Sequence, residues 1–210
     1  MYNDVVIIQC AGRKKRNPLW GINFVAHPQD PDEHHPDGTM SSITDVSWRK
    51  YIEEYNNGLY KEHNQKLCKA GDLYLPKYYK AAINKLGWDR VYILSAGWGL
   101  IRSDYFIPSY DITFSSSAPR KNKRTIKTPF ADWNQLKDCK RFFFFGGINY
   151  LLFLYKLTQN LDCEKIVYYA ADKVVNDAIW QFEGYTYVKY KKSFTNWHYQ
   201  ALSDWLDGTI

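Results

Sequence analysis

Four short apolar runs, each closed by a turn of small residues, constrain this chain more than any other feature. Asp4–Cys10 ends at Ala11-Gly12, Arg90–Ser95 at Ala96-Gly97-Trp98-Gly99, Arg141–Phe145 at Gly146-Gly147, and Lys165–Tyr169 at Ala170-Ala171-Asp172. These runs do not alternate polar and apolar residues, so both faces of each strand are expected to be buried, as in a parallel sheet. Helix-like stretches lie between and after them: Trp48–Asn56, Leu73–Leu86, Ile148–Gln159, Lys173–Phe182 and about Asn196–Leu206. In the last, Tyr199, Leu202 and Leu206 recur at helical spacing, and Thr195 or Asn196 offers an N-cap. Strands alternating with helices predict an α/β fold, a mostly parallel Rossmann-like sheet flanked by helices.

A chain of 210 residues with 45% hydrophobic content has room for one core, so residues 1–210 are read as a single α/β domain. No internal repeat or interdomain linker is visible. Two long polar segments interrupt the pattern, an insertion at about 20–45 and a basic loop at about 115–129; loops of that length in a compact domain are commonly functional. Both are expected on the ligand rim. The longest apolar run, Phe142–Tyr155, is broken by Gly146-Gly147 and Asn149 and is too short to cross a bilayer. The opening Met1–Asp4 has no basic n-region, so Val5–Ile8 is expected to be a first strand rather than part of an export signal. The four cysteines are scattered with no C-x-x-C pair, which argues against a zinc ribbon or disulfide scaffold and for a reducing cytoplasm.

In an open parallel sheet, ligands bind beyond the carboxyl ends of the strands. The turns after Cys10, Ser95 and Phe145 are therefore expected on one rim, which would gather Gly12–Arg16, Ser95–Gly99 and Gly146–Tyr150. The formal charge of +6 suits a polyanionic partner. The aromatic fraction of 18% supplies flat faces that fill a core or stack on bases.

Three stretches carry a resemblance: Ile7–Lys15 at the first strand, Tyr92–Ile101 followed by Pro108-Ser109-Tyr110-Asp111, and Phe145–Tyr150. Together they resemble a poorly characterised family of short α/β proteins. In that family one strand ends Ser/Cys-x-Gly-x-Lys, a middle strand reads ILSA-x-x-GL and then P-x-Y-D, and a later one ends G-x-x-Y. That family is similar, more distantly, to peroxide-stress proteins that bind DNA, to the Rossmann-like domain of archaeal tRNA-guanine transglycosylases, and to phage-defence DNA glycosylases. The resemblance implies work at the base–sugar bond of a nucleic acid, with phage DNA carrying modified bases as partner. The segment Gly21–Pro28 with His35–Asp37 departs from the shorter pattern.

Hydrolysis of an N-glycosidic bond develops positive charge on the sugar, so it needs a carboxylate and a pocket for the extruded base. Asp111 is the first candidate, with turn capping or an Arg partner as the ordinary alternative. Asp37 is a second carboxylate, although Pro36-Asp37-Gly38 reads first as a turn. Asn56 would assist by holding water, against a C-capping role at its helix end. Gln9, Cys10, Gly12, Ser95, Gly97, Trp98, Tyr110, Gly147 and Tyr150 are the candidate substrate contacts. For Ser95 a small-residue turn, and for Cys10 a buried structural thiol, are the ordinary readings.

Arg13, Lys14, Lys15 and Arg16, with Arg120, Lys121, Lys123 and Arg124, are placed to follow a phosphate backbone. The His27–Asp37 stretch is rich in His and Asp but fits no zinc spacing, so neither a metal nor an organic cofactor is expected. The reading is a DNA glycosylase acting on a modified base. The alternatives are a nucleotide or nucleoside N-glycosidase, a base-exchanging transferase, and a nucleic-acid-binding protein without catalysis.

Overall fold

A computed structural model of the chain describes residues 2–15, 48–59, 67–110, 112–114, 133–170, 182–191 and 195–210. The insertion of about 20–45, the basic loop of about 115–129 and most of the helix expected at Lys173–Phe182 lie outside the described residues.

The elements run in the order β1 (Tyr2–Gln9), α1 (Trp48–Asn56), β2 (Cys68–Lys69), α2 (Ala70–Leu73), α3 (Lys77–Leu86), β3 (Val91–Ser95), β4 (Gly99–Arg102), β5 (Phe106–Ile107), β6 (Trp133–Asn134), β7 (Cys139–Phe145), α4 (Leu151–Thr158), β8 (Glu164–Tyr169), β9 (Tyr185–Lys189) and α5 (Trp197–Leu206). Seven strands form one sheet in the order β6-β4-β3-β1-β7-β8-β9. β3, β1, β7, β8 and β9 are mutually parallel. β4 folds back antiparallel on β3 and pairs with β6, while β2 and β5 make a separate antiparallel pair. The fold is the expected mostly parallel α/β sheet with flanking helices. Among the described residues no helix is long and apolar enough to cross a membrane.

The four successive phenylalanines of β7 show why the central strands read as unbroken apolar runs. Their side chains alternate between the two faces, yet Phe142, Phe143, Phe144 and Phe145 are all buried, so both faces are covered. Trp205 of α5 packs on Phe143 and Phe145, at ring-centroid distances of 4.7 and 6.1 Å. On the alternate side, Phe142 meets the ring of Tyr185 from β9 at 6.3 Å.

The helix expected over Leu73–Leu86 starts later, at Lys77, and Leu73 instead ends a separate short helix. Pro76 has no N–H to donate and holds its predecessor extended, so α2 stops at Leu73 and α3 starts at Lys77. The extended Tyr74 then pairs with Lys14, just past β1. Lys15 N–H donates to the Leu73 carbonyl at 2.7 Å and Leu75 N–H to the Arg13 carbonyl at 3.1 Å. The extended connection before the proline thus anchors the loop after β1. Asn196 stands at the N-cap of α5, but in a left-handed conformation (φ 65°) and without a side-chain cap bond. Tyr199, Leu202 and Leu206 are buried, as their spacing predicts.

Candidate functional site

The parallel strands follow the chain order second-first-third-fourth-fifth across the sheet. The connections therefore diverge at β1, leaving a crevice between the carboxyl ends of β1 and β7, the switch point at which open α/β sheets bind ligands. A cleft of about 750 Å³ opens there. Gln9, Cys10, Ala11, Gly12 and Arg13 form the wall after β1, and Gly147, Asn149 and Tyr150 the wall after β7. Leu75 and Pro76 enter from the α2–α3 connection, Tyr78 from the first turn of α3, Thr195, Asn196, Tyr199 and Gln200 from the start of α5, and Thr113 from the segment after β5.

Gln9 ties these walls together. Its Oε1 accepts the Gly147 N–H at 2.6 Å, and its backbone carbonyl accepts the Tyr79 hydroxyl at 2.6 Å. Its Nε2 lies 3.2 Å from Nε2 of His198 on α5. Because Oε1 is committed to Gly147, the amide must present N–H to the imidazole, and the facing ring nitrogen must accept. His198 is therefore neutral, with its proton on Nδ1. Burial acts in the same direction and lowers its pKa to about 4, since a cation there would lose its hydration.

Beneath the cleft lies a buried hydroxyl network. Ser95 Oγ accepts the N–H groups of Gly97 and Trp98 at 3.2 and 3.0 Å. Both lone pairs are then occupied, so its proton goes to the Tyr110 hydroxyl 2.6 Å away, which meets the Tyr74 hydroxyl at 2.7 Å. Burial pushes the phenols of Tyr74 and Tyr110 well above their ordinary pKa. Cys10 Sγ accepts the Ala96 N–H at 3.4 Å and contacts the Tyr150 hydroxyl at 3.2 Å. Tyr150 is likewise buried, with its pKa raised by desolvation. Lys14 Nζ sits 4.2 Å from the Tyr110 ring centroid, within cation–π range.

The expected shared rim is present, because the ends of β1, β3 and β7 meet through Cys10, Ala96, Gly147 and Tyr150. Gln9, Cys10, Gly12, Gly147 and Tyr150 line the cleft. Ser95, Gly97, Trp98 and Tyr110 do not; they are buried behind it. Ser95 is an acceptor that closes its own turn, and no Cβ fits at Gly97, where it would stand 2.8 Å from the Tyr110 ring.

Asn56 also falls away from the cleft. Its Nδ2 donates to the carbonyls of Ile52 and Phe106 at 2.8 and 2.9 Å, and its Oδ1 accepts the Phe106 N–H at 2.8 Å. The amide fastens α1 to β5, a structural role, and Asn56 is not part of the cleft lining. Arg13 and Lys15 are exposed beside the cleft and its anchoring loop. Asp111, Asp37, Arg16, Arg120, Lys121, Lys123 and Arg124 lie outside the described residues.

Sequence reasoning did not find the contribution of α5. Tyr199 stacks on Tyr78 with centroids 5.0 Å apart and an interplanar angle of 3°, and both line the cleft. Tyr79, between the strand end and the helix, gives its proton to Gln9 and so accepts from the Tyr199 hydroxyl at 3.2 Å. A family model matches residues 58–194. The chain belongs to that family, described as a family of unknown function (DUF6884). No curated protein and no solved structure matches the chain. The part shared with DUF6884 holds β3, β7, Tyr78, Gly147 and Tyr150, whereas Gln9 and His198 are supplied by segments on either side of it.

Proposed function

We propose that the cleft receives one nucleotide of a DNA strand with its base extruded, and that the chain hydrolyses the N-glycosidic bond of that nucleotide. The observation that carries this reading is the lining at the switch point. Amides and hydroxyls from Gln9, Asn149, Asn196, Gln200 and Thr113 can read a base edge. The Tyr78–Tyr199 pair offers an aromatic face, and Arg13 a phosphate contact. No carboxylate occurs among the described lining residues. Asp111, two positions before Thr113 in sequence, is assigned the carboxylate that stabilises the sugar cation or activates water, with Asp37 as second acid. Arg13–Arg16 and the cations at 120, 121, 123 and 124 hold the backbone. The resemblance to phage-defence glycosylases sets the substrate as phage DNA with a modified base, an argument by analogy.

The test is to incubate the purified chain with unmodified and hypermodified phage DNA, measuring released base by mass spectrometry and abasic sites by alkaline cleavage. Release from modified DNA alone, lost in Asp111→Asn, supports the reading. Salt-sensitive binding without release from either DNA overturns catalysis on these substrates and leaves a binding protein. A second reading, an N-glycosidase or base-exchanging transferase for free nucleotides or nucleosides, is favoured by the cleft volume, which suits a small ligand without a strand. It predicts turnover of mononucleotides with little dependence on salt.

A further inference from the structure

At the other end of β7, away from the cleft, two cysteines come together. Cys139 is the first residue of β7, and Cys163 immediately precedes β8. These strands run parallel with Arg141 opposite Glu164, so their starts lie side by side. Each thiol shifts the pKa of the other. They share a cavity of about 380 Å³ with Lys137, Asp138, Lys140 and Asp162. Cys139 is buried and Cys163 half-buried, so Cys163 is the more accessible of the two.

We propose that Cys139 and Cys163 form a thiol–disulfide exchange site for a low-molecular-weight disulfide. The cavity is too small for a folded partner, and the exposed Lys137 and Lys140 beside the exposed Asp138 and Asp162 on its wall suit a molecule that bears both carboxylate and ammonium groups, such as oxidised glutathione. The roles of the two sulfurs are distinct. The Cys163 pKa is lowered by its interaction with the Cys139 thiol and by the nearby Lys165, whereas the Cys139 thiol is raised by the same interaction and by burial. The attacking form is an accessible thiolate, so the half-buried Cys163 is the nucleophile and the buried Cys139 the resolving thiol.

Cys163 attacks one sulfur of the small disulfide, whose S–S bond breaks, and the departing thiolate takes a proton from water. Cys139 then loses its proton and attacks Cys163 Sγ, expelling the second small thiol. Two protein thiols become one disulfide, and one small disulfide becomes two thiols. The other cysteines are poorer candidates. Cys10 is buried against Tyr150 and Ala96, and burial pushes the Cys68 thiol up to about 11.

The test uses the full, reduced chain incubated with oxidised glutathione, followed by intact mass and non-reducing peptide mapping. The expected product has lost two hydrogens and carries a Cys139–Cys163 cross-link. Cys139→Ser should stall as a single glutathione adduct on Cys163, and Cys163→Ser should react slower by roughly tenfold or more, with thermal melts showing both variants folded. A cross-link between other cysteines overturns the proposal. So does failure of the folded parent to oxidise under conditions in which the urea-unfolded chain does, a comparison that needs no variant.

Discussion

Gln9 and His198 sit 189 positions apart in sequence and meet nitrogen to nitrogen at 3.2 Å. The contact is a hydrogen bond only while the imidazole is neutral, because the amide has just N–H to offer on that side. Acid should therefore break it. His198 has an unfolded pKa near 6.5 and a folded pKa of about 4. The unfolded chain thus binds the proton first, and this residue's contribution to stability is complete above about 6.5 and is lost as the pH falls toward 4. The difference corresponds to about 3 kcal/mol at its limit. Urea denaturation of the parent and His198→Gln between pH 7 and pH 4 should show the variant losing less. Parallel curves would refute the neutral assignment.

Gln9→Glu reverses the sign. A carboxylate at this position still accepts the Gly147 N–H but faces His198 with an oxygen that wants a proton. The imidazole pKa should then rise from about 4 to above its ordinary value, by the attraction of a neighbouring opposite charge. NMR titration of the His198 ring reads this directly, and an unchanged midpoint would mean that the side chains do not meet. Gln9→Leu, which leaves the part-buried Gly147 N–H and an imidazole nitrogen without their Gln9 partner, should cost about 1–3 kcal/mol.

How far the sequence reveals this architecture depends on where each group is buried. Val5–Ile8 and Phe142–Phe145 were legible as central strands because coverage on both faces leaves no polar residue in the run. β9 was not, since Tyr185–Lys189 pairs on one side only and leaves its side chains half-exposed. β4 was missed because Gly99 looks like the end of a turn, when it starts the return strand of a hairpin. The strand-end rule placed Gly12, Gly147 and Tyr150 at the cleft without any motif, whereas Gln9 and Cys10 were read with the stretch Ile7–Lys15 that carries the family resemblance. The rule could not reveal His198 or Tyr199, because which helix closes over a crevice is decided by packing across the whole chain. Nor could spacing show that Cys139 and Cys163 meet.

Gly97 and Gly12 belong to neighbouring rim turns and should respond in opposite ways to an added methyl group. At Gly97 a Cβ would lie 2.8 Å from two atoms of the Tyr110 ring, which is held by hydroxyl bonds to Ser95 and Tyr74 and cannot swing aside freely. Gly97→Ala should cost about 1–3 kcal/mol through overpacking. Gly12→Ala meets nothing within 4 Å and should stay within about 0.5 kcal/mol of the parent. Equal urea midpoints for the two variants would show that Tyr110 does not brace this turn.

Arg13 and Lys15 provide the last test, which separates a strand-binding protein from one that takes a free nucleotide. Both are exposed, and the backbone bonds of Arg13 and Lys15 to Leu75 and Leu73 fix the loop without using their side chains. Their cations are therefore available to phosphates, and their removal should leave the loop in place. If they bind a DNA backbone, Arg13→Gln with Lys15→Gln should flatten the plot of log affinity against log salt by roughly 0.7–0.9 per lost contact. Affinity for a mononucleotide would change through Arg13 alone, because Lys15 is not part of the cleft lining. A salt slope identical to that of the parent would place the backbone elsewhere and remove this loop from the proposed interface.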